Sequence, residues 1–284
     1  MKITMLGTGN ALVTECYNTC FVIEDDGQYF LVDGGGGNGL LRQLKSAGLD
    51  WKKMQHIFVT HKHLDHIMGI VWMIRMITQY ITQNQYEGDA YIYGHDEVIT
   101  LLAEMADKLL KPKQTKLIGK RLHLITLSDG EEFQAIGHRF QAFDIRSTKA
   151  KQFGFTMYYD ENDKNGSSNL QEHKLTCCGD EPYQECEKKY AKESDWLLHE
   201  AFCLSSQADV FHPYEKHHST VKDACTLAEE LGVKNLVLYH TEDQNIKNRR
   251  KLYTEEGRKY YSGKLYVPED LEVIEICRAK CQAN

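Results

Sequence analysis

The sequence predicts an α/β fold in which two β-sheets pack face to face with helices on their outer faces. Three observations predict it. Strand-like runs fill most of the first sixty residues, a second set of such runs begins near Leu122, and helical patterns are interposed between strands instead of being gathered in one half. Only four prolines occur in 284 residues and no linker-like stretch interrupts the pattern, so residues 1–284 are read as a single domain.

The opening Met1 to Leu6 alternates in the manner of a strand and runs into Gly7-Thr8-Gly9-Asn10, a loop rich in backbone freedom. Cys20 to Glu24 and Tyr29 to Asp33 are apolar runs separated by Asp25-Asp26-Gly27-Gln28, where Asp and Gly suit a tight reversal, so a hairpin is expected. Four glycines follow at Gly34 to Gly37, and Leu40 to Ala47 has helical spacing. Met54 to Thr60 reads as a buried strand, and the apolar, Met-rich stretch Ile67 to Ile77 as a helix. The region from Gln79 to Leu117 reads as helical, including Asp96 to Leu110. Its Lys108, Lys111, Lys113 and Lys116 would be solvated, cover a cleft or line a dimer surface. The second strand set includes Phe140 to Ile145, Phe153 to Tyr159, Lys174 to Cys178, Trp196 to His199 and Leu236 to Tyr239, with a further helix over Val221 to Leu231. Asp160 to Ser168 is polar, contains Gly166-Ser167-Ser168, and is the expected mobile loop.

Composition narrows the function. With 42% hydrophobic and 26% charged residues the chain is an ordinary globular one. Its formal net charge of −7 argues against broad electrostatic capture of nucleic acid, which relies on a basic face to displace counterions. No basic segment followed by a long apolar run opens the chain, and no run has the length needed to cross a bilayer, so a cytoplasmic protein without a membrane partner is expected. Nine cysteines without an export signal read as reduced thiols. Neither Cys177-Cys178 nor Cys277-x-x-x-Cys281 has the spacing of a paired metal or redox motif.

The chemistry concentrates between the strand ending at Thr60 and the helix that follows. Three imidazoles and a carboxylate, His61, His63, Asp65 and His66, fall within six consecutive positions. Neutral imidazole and carboxylate are the donors that hold a divalent transition metal. At a strand-to-helix turn His61 and His63 can point one way and Asp65 and His66 another, so two adjacent metals could share one loop. Downstream, Cys178-Gly179-Asp180 closes one apolar strand and Leu236 to His240 closes another. A carboxylate set between two cations can bridge them, as a two-metal hydrolytic site requires. His199-Glu200-Ala201 and His217-His218-Ser219-Thr220 complete the set, with Ser219 or Thr220 suited to cap the next helix.

In their order these motifs resemble the metallo-β-lactamase superfamily and, within it, the ribonuclease Z-like branch. The resemblance is carried by His61-x-His63-x-Asp65-His66, Gly7-Thr8-Gly9, Val32-Asp33-Gly34-Gly35, Gly179-Asp180, His199-Glu200-Ala201, His218-Ser219-Thr220 and His240. It implies a four-layer αβ/βα sandwich of two mixed sheets with a metal centre at one edge, of one or two ions, usually zinc, with manganese or iron as alternatives. By the same resemblance His61 and His63 hold the first metal, Asp65, His66 and His240 the second, and Asp180 bridges them. Asp65 would also orient the attacking hydroxide, His218 would contact the scissile phosphate, and Glu200 would orient His218.

Two departures shape the functional expectation. The family usually supplies another first-metal histidine just before an aromatic-Gly-aromatic strand, here Phe153-Gly154-Phe155, yet no histidine lies between His138 and His173. By position Arg146 stands there. A guanidinium has no lone pair for a metal, so two readings stand equally: the first metal is weak, absent or completed by water, or Arg146 supplies the missing charge and clamps a phosphate oxygen through paired N–H donors. A single metal at Asp65, His66, Asp180 and His240 then stays open, as does ligation by His138. The second departure is an absence. Only 24 residues, 155–178, separate Gly154 from Gly179, which leaves no room for the arm that tRNA-processing relatives carry. The expected activity is therefore a metal-dependent phosphodiesterase acting on a small or nucleotide-derived phosphodiester. The alternatives are a ribonuclease Z-like RNA endonuclease, a lactone or thioester hydrolase, and a non-catalytic anion-binding protein with a degenerate metal site. A homodimer is open.

Overall fold

The computed structural model describes residues 1–160 and 172–276. Cys277, Cys281 and all but Asp160 of the expected mobile loop lie outside the described residues. Fourteen strands are described: β1 (Lys2–Gly7), β2 (Cys20–Asp25), β3 (Gln28–Val32), β4 (His56–Phe58), β5 (Ala90–Gly94), β6 (Leu122–Thr126), β7 (Glu132–Ala135), β8 (His138–Asp144), β9 (Phe153–Asp160), β10 (Glu172–Cys177), β11 (Trp196–Glu200), β12 (Asn235–Tyr239), β13 (Lys264–Tyr266) and β14 (Val273–Glu275). They form two seven-stranded sheets, in the orders β14-β1-β2-β3-β4-β5-β6 and β13-β12-β11-β10-β9-β8-β7. Both sheets are mixed. The runs β3 to β6 and β10 to β13 pair in parallel and the remaining neighbours are antiparallel.

Period-2 alternation explains the layering. In β3, Phe30 and Val32 face the other sheet while Leu31 faces the outer helices, and in β4 Phe58 and Ile57 divide in the same way. The inner layer is rich in aromatic rings. Phe30 stacks on Phe140 across the two sheets at 4.4 Å, and Phe58 meets Phe155 edge-on at 5.2 Å. Helices Gly39–Ser46, Leu64–Thr82 and Asp96–Leu109 cover the first sheet. Helices Val221–Glu230 and Arg249–Gly257 cover the second, where Leu197, Leu236 and Leu238 point outward. The result is the expected αβ/βα order of layers.

Two expectations need correction. Ala90–Gly94, inside the region read as helical, is β5. Leu122–Thr126, read as the start of the second strand set, pairs in parallel with β5 and so closes the edge of the first sheet. Helix Leu64–Thr82 also starts earlier than its apolar stretch suggested, which places Asp65 and His66 in its first turn. That helix approaches the glycine loop without a gap. Gly34 N donates to His66 O at 2.8 Å, Gly69 N donates to Gly35 O at 3.0 Å, and a Cβ on Gly69 would fall 1.8 Å from the Gly34 carbonyl oxygen.

Among the described residues no helix is long and apolar enough to cross a membrane. Cys177 and Cys178 are both buried, and burial pushes the Cys177 thiol up to about 12, so neither is poised as a nucleophile.

Glu187 is a buried carboxyl outside the histidine cluster. It lies against Cys178, Gln184 N donates to its Oε1 at 2.7 Å, and burial pushes its pKa up to about 8 from an ordinary 4.5. A carboxyl whose pKa is raised by folding favours the native state below its unfolded pKa and loses that contribution as pH rises through the folded one. Glu187→Gln keeps the accepting oxygen and removes the titration. It is expected to leave the melting temperature unchanged near pH 4.5 and to raise stability by a few kcal/mol near pH 8. Melting curves at the two pH values check this, and equal shifts at both would refute it.

Candidate metal centre

Strands β4, β10, β11 and β12 all end at one edge of the two sheets, and the loops leaving their carboxyl ends carry the expected donors. Asp33, just beyond β3, organises the first of them. Thr60 donates to Asp33 Oδ1 through its backbone N–H at 2.8 Å and to Oδ2 through its hydroxyl at 2.7 Å, and His66 Nδ1 lies 2.8 Å from the same Oδ2. A carboxylate at Nδ1 takes that ring proton and turns the Nε2 lone pair inward. Asp33 holds a left-handed φ of +57° to do so. Across the cleft His240, at φ +57°, is fixed by Thr19. The Thr19 hydroxyl donates to Gly9 O at 3.0 Å, so it accepts from His240 Nδ1 at 3.2 Å and leaves His240 Nε2 free to face the centre.

Two groups of donors meet there. Asp65, His66, Asp180 and His240 are all buried, with one ligand atom from each inside a 4.8 Å span, and His61, His63 and Asp180 form a second such group. Asp180 Oδ2 lies 3.1 Å from His66 Nε2, 3.4 Å from His240 Nε2 and 3.7 Å from His61 Nε2, while Asp65 Oδ2 is 3.3 Å from His66 Nε2. His66 Nε2 is nonetheless a buried nitrogen with no hydrogen-bond partner among the described residues. Several ligand atoms thus converge within a few ångströms of one another, which is the arrangement a cation needs.

Electrostatics agree with that geometry. Burial would raise the pKa of Asp180, but His61, His240 and His66 hold it well below the carboxylate range, and Asp65 is held low chiefly by His66. Burial lowers His240 to about 4 and His61 well below its ordinary value, so both rings are neutral donors. His66 is the exception. Burial disfavours its charged form, yet Asp65, Asp33 and Asp180 outweigh that and hold a proton on it. Three carboxylates around one imidazole call for positive charge, and a divalent cation would supply it. These residues fit a metal.

His218 stands at the rim with its ring stacked on Phe202 at 4.9 Å. Its Nδ1 lies 3.0 Å from the Asp180 carbonyl oxygen and 3.3 Å from Glu200 Oε2. The hydrogen bond goes to the carbonyl, while Glu200 Oε1 accepts from Ser219 N and so anchors the His218-Ser219 backbone. Thr220 caps helix Val221–Glu230 and accepts from Asp223 N at 3.3 Å.

Arg146 is not where the sequence placed it. It sits in a tight turn at φ +58° with its side chain 63% exposed, and it pairs with Asp129 at 3.2 Å and Asp144 at 3.4 Å, neither of which belongs to the cluster. His138 is equally remote, paired with Asp25 at 2.7 Å. The position facing His61 and Asp180 belongs to Gln152, buried immediately before Phe153-Gly154-Phe155. Lys149 supplies the cation beside the rim, with Nζ 3.5 Å from His218 Nε2. Its turn is pinned by Ser147 Oγ and Thr148 N donating to Glu181 at 2.7 Å and 3.1 Å. Lys149 has no carboxylate partner within ion-pair distance among the described residues. Sequence reasoning missed Gln152, Lys149 and the organising role of Asp33. Only Asp33 carried a signal, as part of Val32-Asp33-Gly34-Gly35.

Comparison with known proteins places this geometry. The family model described as anti-Pycsar protein Apyc1 matches residues 1–258. Ribonuclease Z of Thermococcus sibiricus is 25% identical over 311 aligned positions, covering 97% of this chain and 96% of that protein. Among solved structures, the metallo-β-lactamase fold protein YhfI from Bacillus subtilis superposes with a TM-score of 0.71 at 18% identity, covering 96% of this chain and 99% of that one. Human tRNase Z, short form, does so with a TM-score of 0.70 at 22% identity, covering 98% and 100%. The fold is that of the metallo-β-lactamases.

Proposed function

We propose that this chain, which belongs to the anti-Pycsar protein Apyc1 family and through it to the ribonuclease Z-like branch of the metallo-β-lactamase superfamily, is a metal-dependent hydrolase specialised as a phosphodiesterase for a cyclic or nucleotide-derived phosphodiester. The observation that carries the reading is the placement of Lys149, held on His218 Nε2 with no carboxylate within ion-pair distance among the described residues, at the rim of a buried four-donor cluster. That ammonium matches an anionic substrate. A lactone or thioester would have no use for it.

A cation held by Asp65, His66, Asp180 and His240 would lower the pKa of bound water and offset charge developing on the phosphoryl oxygens. The chain's own groups then divide the work. Asp65, ionised and 3.3 Å from His66 Nε2, is placed to orient the attacking water. His218 is anchored through Nδ1 on the Asp180 carbonyl and burial lowers its pKa to about 4, so its Nε2 accepts from Lys149 and holds that ammonium at the rim. Lys149 neutralises a non-bridging oxygen, the task the sequence assigned to Arg146. Glu200 keeps the His218-Ser219 backbone in place. Zinc is the metal we assign, because imidazole and carboxylate donors in a set of four suit it. Manganese and iron share those donors, so elemental analysis decides.

The test is a substrate panel with purified chain: 3′,5′-cyclic mononucleotides, linear dinucleotides, bis(p-nitrophenyl) phosphate, precursor tRNA, a lactone and a thioester. Turnover of cyclic or short phosphodiesters, abolished by a chelator and restored by metal, is the expected outcome. Carbonyl hydrolysis without phosphodiester hydrolysis would overturn it. The names of the ribonuclease Z relatives favour a second reading, an RNA endonuclease, which requires precursor tRNA to be the best substrate in the same panel. Lys149→Ala is expected to raise KM for a phosphodiester by about 10-fold to 100-fold, the effect of losing one charge-assisted hydrogen bond. Lys149→Arg should recover part of it, with metal content unchanged in both. An unaltered KM in Lys149→Ala would remove this residue from the site.

A further inference from the structure

We infer that the two halves of the centre bind metal unequally, and that Gln152 is the residue that sets the difference. The inference rests on the metal-dependent reading above, but it concerns the chain's own donors. One group has four of them, Asp65, His66, Asp180 and His240, and the other has three, His61, His63 and the shared Asp180. Against the outer side of the smaller group, touching His61 Nδ1 and Asp180 Oδ1 immediately before Phe153-Gly154-Phe155, lies the side chain of Gln152, 1% exposed.

Its carboxamide is tied on three sides. The amide nitrogen donates to Asp180 Oδ1 at 2.5 Å and lies 2.7 Å from His61 Nδ1, and the amide oxygen accepts from Asp180 N at 3.3 Å. The backbone is shaped around it: Gly179 adopts φ +76°, and a Cβ there would fall 2.6 Å from Gln152 Oε1. This is a built contact, and it acts in two ways.

First, it divides the carboxylate of Asp180. Oδ1 is committed to the amide of Gln152, while Oδ2 faces His66 and His240 at 3.1 Å and 3.4 Å and stands further, at 3.7 Å, from His61. The shared ligand is thereby turned towards the four-donor group. Second, it closes a hydrogen-bond chain through the smaller group. His61 Nδ1 lies 2.9 Å from the Thr60 hydroxyl and 2.7 Å from the Gln152 amide nitrogen. The hydroxyl spends its proton on Asp33 and an amide nitrogen cannot accept, so a proton on Nδ1 would clash with Gln152 and Nδ1 instead accepts from that amide. A ring that accepts at Nδ1 carries its own proton on Nε2, and His61 Nε2 lies 2.7 Å from His63 Nδ1. Each ring thus has its inward atom engaged by a neighbour, and a cation entering between them must break that chain and shift the His61 proton. In the four-donor group, by contrast, the inward His66 Nε2 faces two carboxylate oxygens, Asp180 Oδ2 at 3.1 Å and Asp65 Oδ2 at 3.3 Å, which draw a cation in.

The experiment strips the full-length chain with a chelator and titrates it calorimetrically with zinc. The same titration with cobalt follows the visible absorption, and metal retained after desalting is counted by elemental mass spectrometry. The chain as it stands should bind one equivalent tightly and a second at least about tenfold more weakly, retaining one after desalting. Gln152→His, which supplies an imidazole in a similar volume, should tighten the second equivalent about tenfold or more and retain two. Gln152→Glu, of the same shape, should shift in the same direction, and metal-free melting curves establish that both variants fold. Two equally tight equivalents in the unmodified chain would overturn the inference while leaving the metal-dependent reading intact. So would folded variants whose second equivalent is unchanged. Failure of every form to bind metal would instead overturn the metal-dependent reading itself.

Discussion

His66→Ala and Asp180→Asn are each expected to abolish turnover while leaving the fold in place. Each removes a donor from the four-donor set, and Asp180 Oδ2 is also the atom on which His61, His66 and His240 converge. A cation contributes several kcal/mol of charge stabilisation in the transition state. Its loss therefore predicts a fall in kcat/KM of about 10³-fold or more. The two variants differ in a way that separates chemistry from folding. His66→Ala leaves Asp65, Asp33 and Asp180 close together without the imidazole that offsets them, and it should melt lower than the unmodified chain at pH 7. Asp180→Asn removes a carboxylate that His61, His240 and His66 hold ionised but keeps an acceptor for the Gln152 amide, so its melting temperature should fall less. Steady-state kinetics with a cyclic nucleotide, metal content and far-UV circular dichroism check both. Near-normal activity in metal-free His66→Ala would sink the phosphodiesterase reading.

Asp33→Ala should be the most damaging change that touches no donor to the centre. Asp33, itself buried, accepts from Thr60 N, from the Thr60 hydroxyl and from His66 Nδ1, all within 2.8 Å. Truncation strands three buried polar groups at about 1–3 kcal/mol each, partly recovered by relaxation. It also frees the His66 ring to rotate. Second-sphere partners of metal ligands typically contribute about 10-fold to 100-fold in affinity. The expected result is a lower melting temperature together with weaker metal binding, read by denaturation and by zinc titration. Asp33→Asn should keep one acceptor, for Thr60 N, and recover more stability than affinity, because a neutral carboxamide does not raise the basicity of the imidazole as a carboxylate does. A variant that lost stability and kept full affinity would reduce Asp33 to a loop anchor.

Much of this site could be read from local order along the chain, and the reasons for the remainder are physical. His61, His63, Asp65 and His66 were legible because a solvated loop has no need of so many ligand types packed directly behind an apolar strand. Asp180 and His240 were legible because each closes an apolar strand, and parallel strands deliver their carboxyl ends to one edge. Sheet membership was not. Leu122–Thr126 has the same period-2 pattern whichever sheet it joins, and only its parallel pairing with Ala90–Gly94 decides. That partner was itself hidden, being a five-residue strand between two helices. Arg146 was misplaced because counting back along a chain assumes a regular path. The turn from Asp144 to Lys151, with Arg146 at positive φ and Ser147 and Thr148 bound to Glu181, sends Arg146 out to Asp129 and brings Lys149 to His218. Gln152 escaped notice because a glutamine carries no ligand signature, and its meaning comes wholly from facing His61 and Asp180.

The hydrogen bond between Thr19 and His240 also dictates a schedule. It joins residues 221 positions apart, and the bridge between Gly9 and Thr241 spans almost the whole described chain beside it. Contacts of such separation carry the largest loop-closure entropy and form late in folding. During synthesis the His61 to His66 turn can take shape while β12 is still inside the ribosome, but a complete four-donor set cannot exist until both sheets have docked. A chain that ends before β12 therefore carries the His61 to His66 turn without His240, and its four-donor set is incomplete.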